Sequence, residues 1–398
     1  MEHIVKFIQE FEKLDYFPNY PSFDNYGTNP VVMIDSIKYL MFSSNNYLSL
    51  SNDKRVIRAT YKSLKKNGLG PGGSRFLCGN IKILNDLEKS LSNFIGVEDV
   101  ITFPTGYMAN MSAISILISS FFNNQPHNIN NAIIFSDSFN HGTLVDGIKI
   151  SGAKKVIFPH LNNVYLENEL KKYPENHPKL IVTESIYSMD GDVSDLQMQV
   201  KLAKKYKSLI MIDDAHGVGI LGDNGGGALK HFQLEGQVDL IMGSADKALG
   251  GMGGYLGGNR NLINYCRIAA RPYIFSSSVS ALMAGGLLKV IELCQKEKFR
   301  RLKLFESAES FRKKLQGNGF QVMGNFNLPV LPIYIGDQEI CKNYSKFLFK
   351  KKIFLPPIVW PAIPQNSCRL RLTLMYDHKK EHLDYLLKQL IDAKKEFE

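Results

Sequence analysis

The 398-residue sequence predicts an α/β fold with a mainly parallel sheet. Three observations carry that expectation. Short apolar runs recur at residues 100–103, 132–135, 180–182, 209–212 and 240–242, each bounded by polar or turn residues. Helix-length segments separate most of them, and this alternation suits parallel strands buried on both faces. Polar residues follow each run: Thr105-Gly106, Ser136-Asp137, Thr183-Glu184, Asp213-Asp214 and Ser244. Open α/β sheets bind ligands outside the carboxyl ends of their strands, so these residues are expected to line one crevice.

Taken in order, Ile4, Phe7, Ile8, Phe11 and Leu14 stand at helical spacing and predict an amphipathic N-terminal helix. Its polar face is not rich in Lys or Arg, so packing on its own protein or on a partner subunit is expected over a membrane surface. Pro18, Pro21, Gly27 and Pro30 mark an irregular lead-in. The strand–helix alternation begins near residue 55. After about residue 290 the texture changes to a charged helical region at 296–315, then Val322, an apolar run at 328–334, a helix near 339–350 and a final amphipathic helix. Three units are expected: an N-terminal helix and arm (1–54), a large domain (55–290) and a small α+β domain (291–398).

Composition narrows the function classes. Forty-eight basic against 38 acidic residues give a net charge of +10. The basic residues are scattered, with short clusters such as Lys65-Lys66, Lys154-Lys155 and Lys350-Lys351-Lys352 and no nucleic-acid-binding motif, so no nucleic-acid partner is expected. The most apolar stretch, residues 111–122, is broken by four serines and is too short to span a bilayer. Five cysteines without CxxC spacing argue against a disulfide framework or zinc ribbon and fit a reducing cytoplasm. The N-terminus lacks the basic and apolar regions of a secretory signal.

The chemistry concentrates at two strand ends. In Ser244-Ala-Asp-Lys247-Ala-Leu-Gly-Gly-Met-Gly-Gly254 a lysine beyond a strand is followed by glycines that let backbone approach a ligand closely. By itself this also describes a surface lysine beside a flexible loop. In Leu209-Ile-Met-Ile-Asp213-Asp214-Ala-His216 two acids and a histidine cap a buried strand. A metal ligand set would need matching His, Cys or carboxylate partners, so no metal is expected. A carboxylate that keeps a pyridine nitrogen protonated, beside a lysine that binds the aldehyde on the same ring, is the arrangement that uses pyridoxal phosphate. Thr105-Gly106-Tyr107 opens a helix whose backbone N–H groups suit a phosphate. Ser244 and Ser276-Ser277-Ser278 offer hydroxyl donors, and Asn140-His141-Gly142 offers an imidazole to stack on the ring. Each of these alone reads better as a cap, a turn or a satisfied histidine.

Their joint order resembles the α-oxoamine synthase family of pyridoxal-phosphate enzymes. The resemblance runs from about residue 20 to 385 through Asn45-Asn-Tyr-Leu-Ser-Leu50, Gly68-Leu-Gly-Pro-Gly-Gly-Ser-Arg75, Thr105-Gly-Tyr-Met-Ala-Asn110, Ser136-Asp-Ser-Phe-Asn-His141, Glu184-Ser-Ile-Tyr-Ser-Met-Asp-Gly-Asp192, Arg271-Pro-Tyr-Ile-Phe-Ser276 and Arg369-Leu-Arg-Leu-Thr-Leu374. It implies the fold-type-I transferase architecture, with pyridoxal 5'-phosphate bound covalently to Lys247. It also implies Asp213 on the pyridine nitrogen, His216 near the ring hydroxyl, His141 on the ring face and Ser185 close to the cofactor. Thr105, Gly106 and Tyr107, with Ser244, would hold the phosphate. Ser276 or Ser277 would reach it from the second subunit of a homodimer with shared sites. Arg371 would bind the amino-acid carboxylate, with Asn46 orienting that substrate.

The implied reaction condenses a small amino acid (glycine, alanine or serine) with an acyl-CoA or an acyl carrier, losing carbon dioxide. The alternatives are an aminotransferase on the same fold and a non-catalytic partner subunit. The sequence departs from the family pattern at four places. Leu84 stands where a histidine is usual, Asp246 where serine or glycine precedes the lysine, Gly142 where alanine follows the stacking histidine, and Val279-Ser280-Ala281 where two prolines are usual.

Overall fold

The computed structural model describes residues 1–13, 21–25, 27–121 and 131–398; Leu14, Pro18, Phe122 and the side chain of Phe11 lie outside them. All five expected strands form: β1 (Asp99–Phe103), β2 (Ile133–Asp137), β4 (Lys179–Glu184), β5 (Leu209–Asp213) and β6 (Leu240–Ser244). Two strands unmarked by apolar runs join them, β3 (Lys154–Phe158) and β7 (Gly254–Gly258). The seven lie in the order β1-β7-β6-β5-β4-β2-β3. Neighbours from β6 across to β3 pair in parallel, whereas β7 runs antiparallel to both β6 and β1.

The two additions have different physical reasons. β3 is an edge strand whose Lys154 and Lys155 are exposed, and charge on an edge discourages pairing with another chain. β7 is glycine-rich because it passes under the turn that opens the helix Gly106–Ser120. A Cβ at Gly254 would come within 2.6 Å of the Gly106 Cα. That helix is capped by Thr105, whose Oγ1 accepts from the Met108 N–H at 3.2 Å. The helix thus starts at Gly106, within the Thr105-Gly106-Tyr107 segment expected to open it.

Beyond the large sheet, a four-stranded antiparallel sheet runs Gln321–Val322, Val330–Gly336, Cys368–Thr373, Pro357–Ile358 in spatial order. The N-terminal arm does not stand alone. Its hairpin Val31–Ile34 and Ile37–Met41 takes Ile353–Phe354 as a parallel third strand, so arm and C-terminal segment share a sheet. The backbone N–H of Thr373 donates to the Phe42 carbonyl at 2.8 Å, which continues the junction. Leu84, the first sequence departure, is fully buried in the main core, where an imidazole would have needed polar partners.

The helix Glu2–Lys13 forms as expected, but Ile4, Val5, Phe7 and Ile8 are exposed. No described helix is long and apolar enough to cross a membrane.

Candidate active site

The carboxyl ends of β2, β4, β5 and β6 place Asp137, Glu184, Asp213 and Ser244 along one edge of the sheet. Asp213 is buried, and both of its oxygens are fixed. Oδ1 accepts from the Ala215 N–H at 2.9 Å and Oδ2 from the Asn110 amide at 2.7 Å. The second Asn110 hydrogen goes to Thr143 Oγ1 at 2.9 Å, and Asn110 Oδ1 is buried without a partner. The amide orientation follows, because a flipped oxygen would face the Asp213 carboxylate.

Thr143 passes the arrangement on to His141. Its Oγ1 lies 2.9 Å from His141 Nδ1, and its backbone N–H donates to the same nitrogen at 3.2 Å. A ring nitrogen that accepts an N–H carries no proton, so the ring proton of His141 sits on Nε2. The main chain of His141 is held from below, where its N–H donates to Glu184 Oε1 at 2.5 Å. Burial, reinforced by neighbouring Asp213, pushes the Glu184 carboxyl well above the usual range.

His216 is also buried. Burial drives its pKa well below that of a free histidine, and the positive charges of Lys247 and Arg371 push the same way, so the ring is neutral. Its Nδ1 lies 2.8 Å from the Tyr47 hydroxyl. That hydroxyl donates to Asn45 Oδ1 at 3.2 Å, and the same amide oxygen accepts both terminal nitrogens of Arg371 at 3.1 Å each. Arg371 is further anchored by Nε donating to the Ser188 carbonyl at 2.8 Å. Arg369, two residues earlier, is fixed in the same way by Asp190 and by the Met189 carbonyl at 3.1 Å.

The predicted residues sort into three groups. Asp213, His216, Ser244 and Lys247 gather at neighbouring strand ends, with Thr105 and Gly106 against Ser244: a Cβ on Gly106 would lie 3.0 Å from the Ser244 hydroxyl. His141 and Ser185 join them through hydrogen bonds. The Ser185 hydroxyl is committed to Asp214 Oδ1 at 2.5 Å, and its N–H to the Asp213 carbonyl at 2.8 Å. Tyr107 turns instead toward Asp146, to which its hydroxyl donates at 2.8 Å.

Asn46 was expected to orient the substrate. It is buried, and its amide is used up internally: Nδ2 donates to the Thr28 carbonyl and Ser51, and Oδ1 accepts from Leu50 and Ser51. The residue that meets Arg371 is its neighbour Asn45. Ser276 donates weakly to the Ser277 carbonyl at 3.4 Å, on an exposed turn beside Phe275.

The sequence assigned no role to Asn45, Tyr47, Asn110, Thr143 or His160, and placed Glu184 in the crevice without one. For Asn110 a signal was present, since it is one turn beyond Gly106 and carries the only side-chain amide of that helix. His160 had none. It bridges Asp137 at 2.9 Å and Asp192 at 3.4 Å while stacking on Phe139, and so ties the His141 loop to the hairpin that carries Ser188.

Residues 37–390 match the family model for class I and II aminotransferases. The chain is 36% identical to an 8-amino-7-oxononanoate synthase of Thermosipho melanesiensis, over 90% of this chain and 89% of that protein. It is 36% identical to one of Lysinibacillus sphaericus, over 93% and 92%. Its fold superposes on a serine palmitoyltransferase from Sphingomonas wittichii with a TM-score of 0.92 at 26% identity, covering 98% of this chain and 97% of that one. The chain belongs to the α-oxoamine synthase family. This synthase therefore has the fold-type-I architecture of a pyridoxal-phosphate-dependent acyltransferase.

The site of this synthase fits that cofactor. The close approach of Gly106 and Gly254 leaves room beside the first turn of a capped helix, where N–H groups point outward. Asp213 is a carboxyl group held on both oxygens, and Lys247 supplies an amine with its side chain 16% exposed. Asp246 is the one residue at odds with a phosphate there.

Proposed function

We propose that the chain condenses a small amino acid (glycine, alanine or serine) with an acyl thioester, from CoA or an acyl carrier, giving an α-aminoketone, free thiol and carbon dioxide. The observation that carries this reading is the hydrogen-bonded path Arg371–Asn45–Tyr47–His216. It sets a buried guanidinium, aimed to take a carboxylate, at a fixed place relative to the strand ends that bear Asp213 and Lys247.

Pyridoxal phosphate, when bound, supplies a conjugated ring that takes up negative charge from the amino acid's α-carbon. Lys247 would hold its aldehyde, Asp213 its ring nitrogen, His216 its ring hydroxyl, and Thr105, Gly106, Tyr107 and Ser244 its phosphate. The chain's own groups then divide the remaining work. Arg371 binds the amino-acid carboxylate through its planar fork. The Lys247 amine takes the α-proton and later returns one to the same carbon. Asp213 stays fixed by Asn110 and the Ala215 amide as charge changes above it, which requires no reorganisation. His141, with its proton on Nε2, donates toward the thioester oxygen as negative charge develops there.

The same reading takes a homodimer. Phe76 and Phe275 are 82% and 73% exposed and flank the Gly-rich loop and the serine turn. Such large exposed apolar groups favour cover by a second copy, and Ser276 or Ser277 would then enter the partner's phosphate site.

The test is a matrix of glycine, alanine and serine against acyl-CoAs and acyl carriers, scored by thiol release and product mass, on wild type and Lys247→Ala. Thiol release by wild type alone supports the reading. Amino transfer to a keto acid without thiol release would overturn it in favour of an aminotransferase. No visible absorbance band after incubation with cofactor would favour a partner subunit.

A further inference from the structure

Two groups assigned above to the cofactor are already engaged by one carboxylate. The Ser244 hydroxyl donates to Asp246 Oδ1, and the same oxygen lies 3.6 Å from Lys247 Nζ. We propose that Asp246 is a built-in competitor for the cofactor's phosphate, so that this chain draws less of its cofactor affinity from the phosphate than the site's other residues would allow.

Two physical points carry the argument. A hydroxyl has one proton, so Ser244 cannot donate to Asp246 and to a phosphate together. A phosphate also brings nearly two negative charges beside a third, and like charges in one site disfavour each other. The carboxylate has somewhere else to go: its side chain is 57% exposed and can turn to solvent when phosphate enters. Phosphate binding therefore costs the Ser244 and Lys247 contacts of Asp246.

A merely structural role for the side chain is not needed. The turn around Lys247 is closed by backbone bonds alone: Ala245 N–H to the Gly253 carbonyl at 2.8 Å, Gly251 N–H to the Ala245 carbonyl at 2.7 Å and Gly250 N–H to the Lys247 carbonyl at 2.9 Å. Replacing the carboxylate leaves all three in place.

The inference rests on the cofactor reading above, and its test separates the two. The full chain, stripped of cofactor, is titrated with pyridoxal phosphate and with pyridoxal, following quenching of protein fluorescence, for wild type, Asp246→Asn and Asp246→Ser. The expected result is at least a roughly tenfold tightening for pyridoxal phosphate in both variants, about 1.4 kcal/mol. Pyridoxal affinity should change by a clearly smaller factor, since an aldehyde without phosphate meets only the Lys247 contact of Asp246 and none of the phosphate–carboxylate repulsion. Unchanged or weaker pyridoxal phosphate binding, or equal tightening of both ligands, overturns the inference. Failure of wild type and variants to bind either ligand overturns the cofactor reading itself.

Discussion

The amide nitrogen of Asn110 stands 2.7 Å from Oδ2 of Asp213, and its second hydrogen reaches Thr143, which fixes the ring of His141. One buried side chain thus orients groups on two different strands' loops. Its own oxygen goes without a partner, a cost of roughly 1–3 kcal/mol that the fold accepts.

Asn110→Ala is expected to lower kcat/KM by about 10- to 100-fold, the kinetic equivalent of roughly 1–3 kcal/mol. Thr143→Val removes the hydroxyl at His141 Nδ1 but keeps the backbone N–H there, so the Nε2 tautomer should persist while the Nδ1 chemical shift of the free protein moves, whereas Thr143→Ser should preserve both. An unchanged His141 spectrum in Thr143→Val would show that the hydroxyl contributes nothing to that ring's state.

Arg371→Lys keeps the charge but loses the fork that meets Asn45 and a carboxylate together. We expect KM for the amino acid to rise about 10- to 100-fold with kcat changed far less. Asn45→Ala should act in the same direction by a smaller factor. Asn46→Ala should instead lower thermal stability, since its amide closes the Leu50–Ser51 turn. A selective KM effect at Asn46 would reverse that assignment.

Burial opposes charge on His160, yet its hydrogen bonds to Asp137 and Asp192 raise its pKa from 6.5 to about 9. The sign follows from proton linkage: a pKa raised by folding adds stability that is complete below pH 6.5 and lost as pH climbs through 9. Allowing for solvent screening, wild type should lose about 2 kcal/mol between pH 6 and 10 relative to His160→Gln. Urea unfolding at the two pH values measures this, and parallel curves for the two proteins would contradict it.

Phe76→Glu and Phe275→Glu place charge in surfaces assigned to a second copy. Sedimentation velocity should show a dimer for wild type and monomers for the variants, with circular dichroism unchanged and thiol release nearly abolished. A monomeric, fully active wild type would remove the shared-site reading.

The sequence was legible where burial imposes a pattern. Five central strands announce themselves as apolar runs, and Lys247, Asp213 and His216 stand directly beyond two of them. β3 was hidden because its exposed lysines read as a solvated cluster, and β7 because glycine is a poor strand former whose presence here is forced by close approach to Gly106. Asn45 and Asn46 could not be told apart by type or spacing. Only the fold decides which of two adjacent amides turns toward an arginine that lies far along the chain. His160 was invisible for a similar reason: its partners Asp137 and Asp192 come from the end of β2 and from a separate hairpin.

The three-stranded sheet that joins the arm to Ile353–Phe354 has a consequence for the order of synthesis. The arm is made before the large sheet, but its third strand and the Arg371 that meets Asn45 are made after it. Until then the Ile37–Met41 edge has no partner strand beyond its own hairpin, and the contact between Arg371 and Asn45 does not exist. A chain stopped before residue 353 can hold every strand of the large sheet and still lack the guanidinium proposed to bind the amino acid.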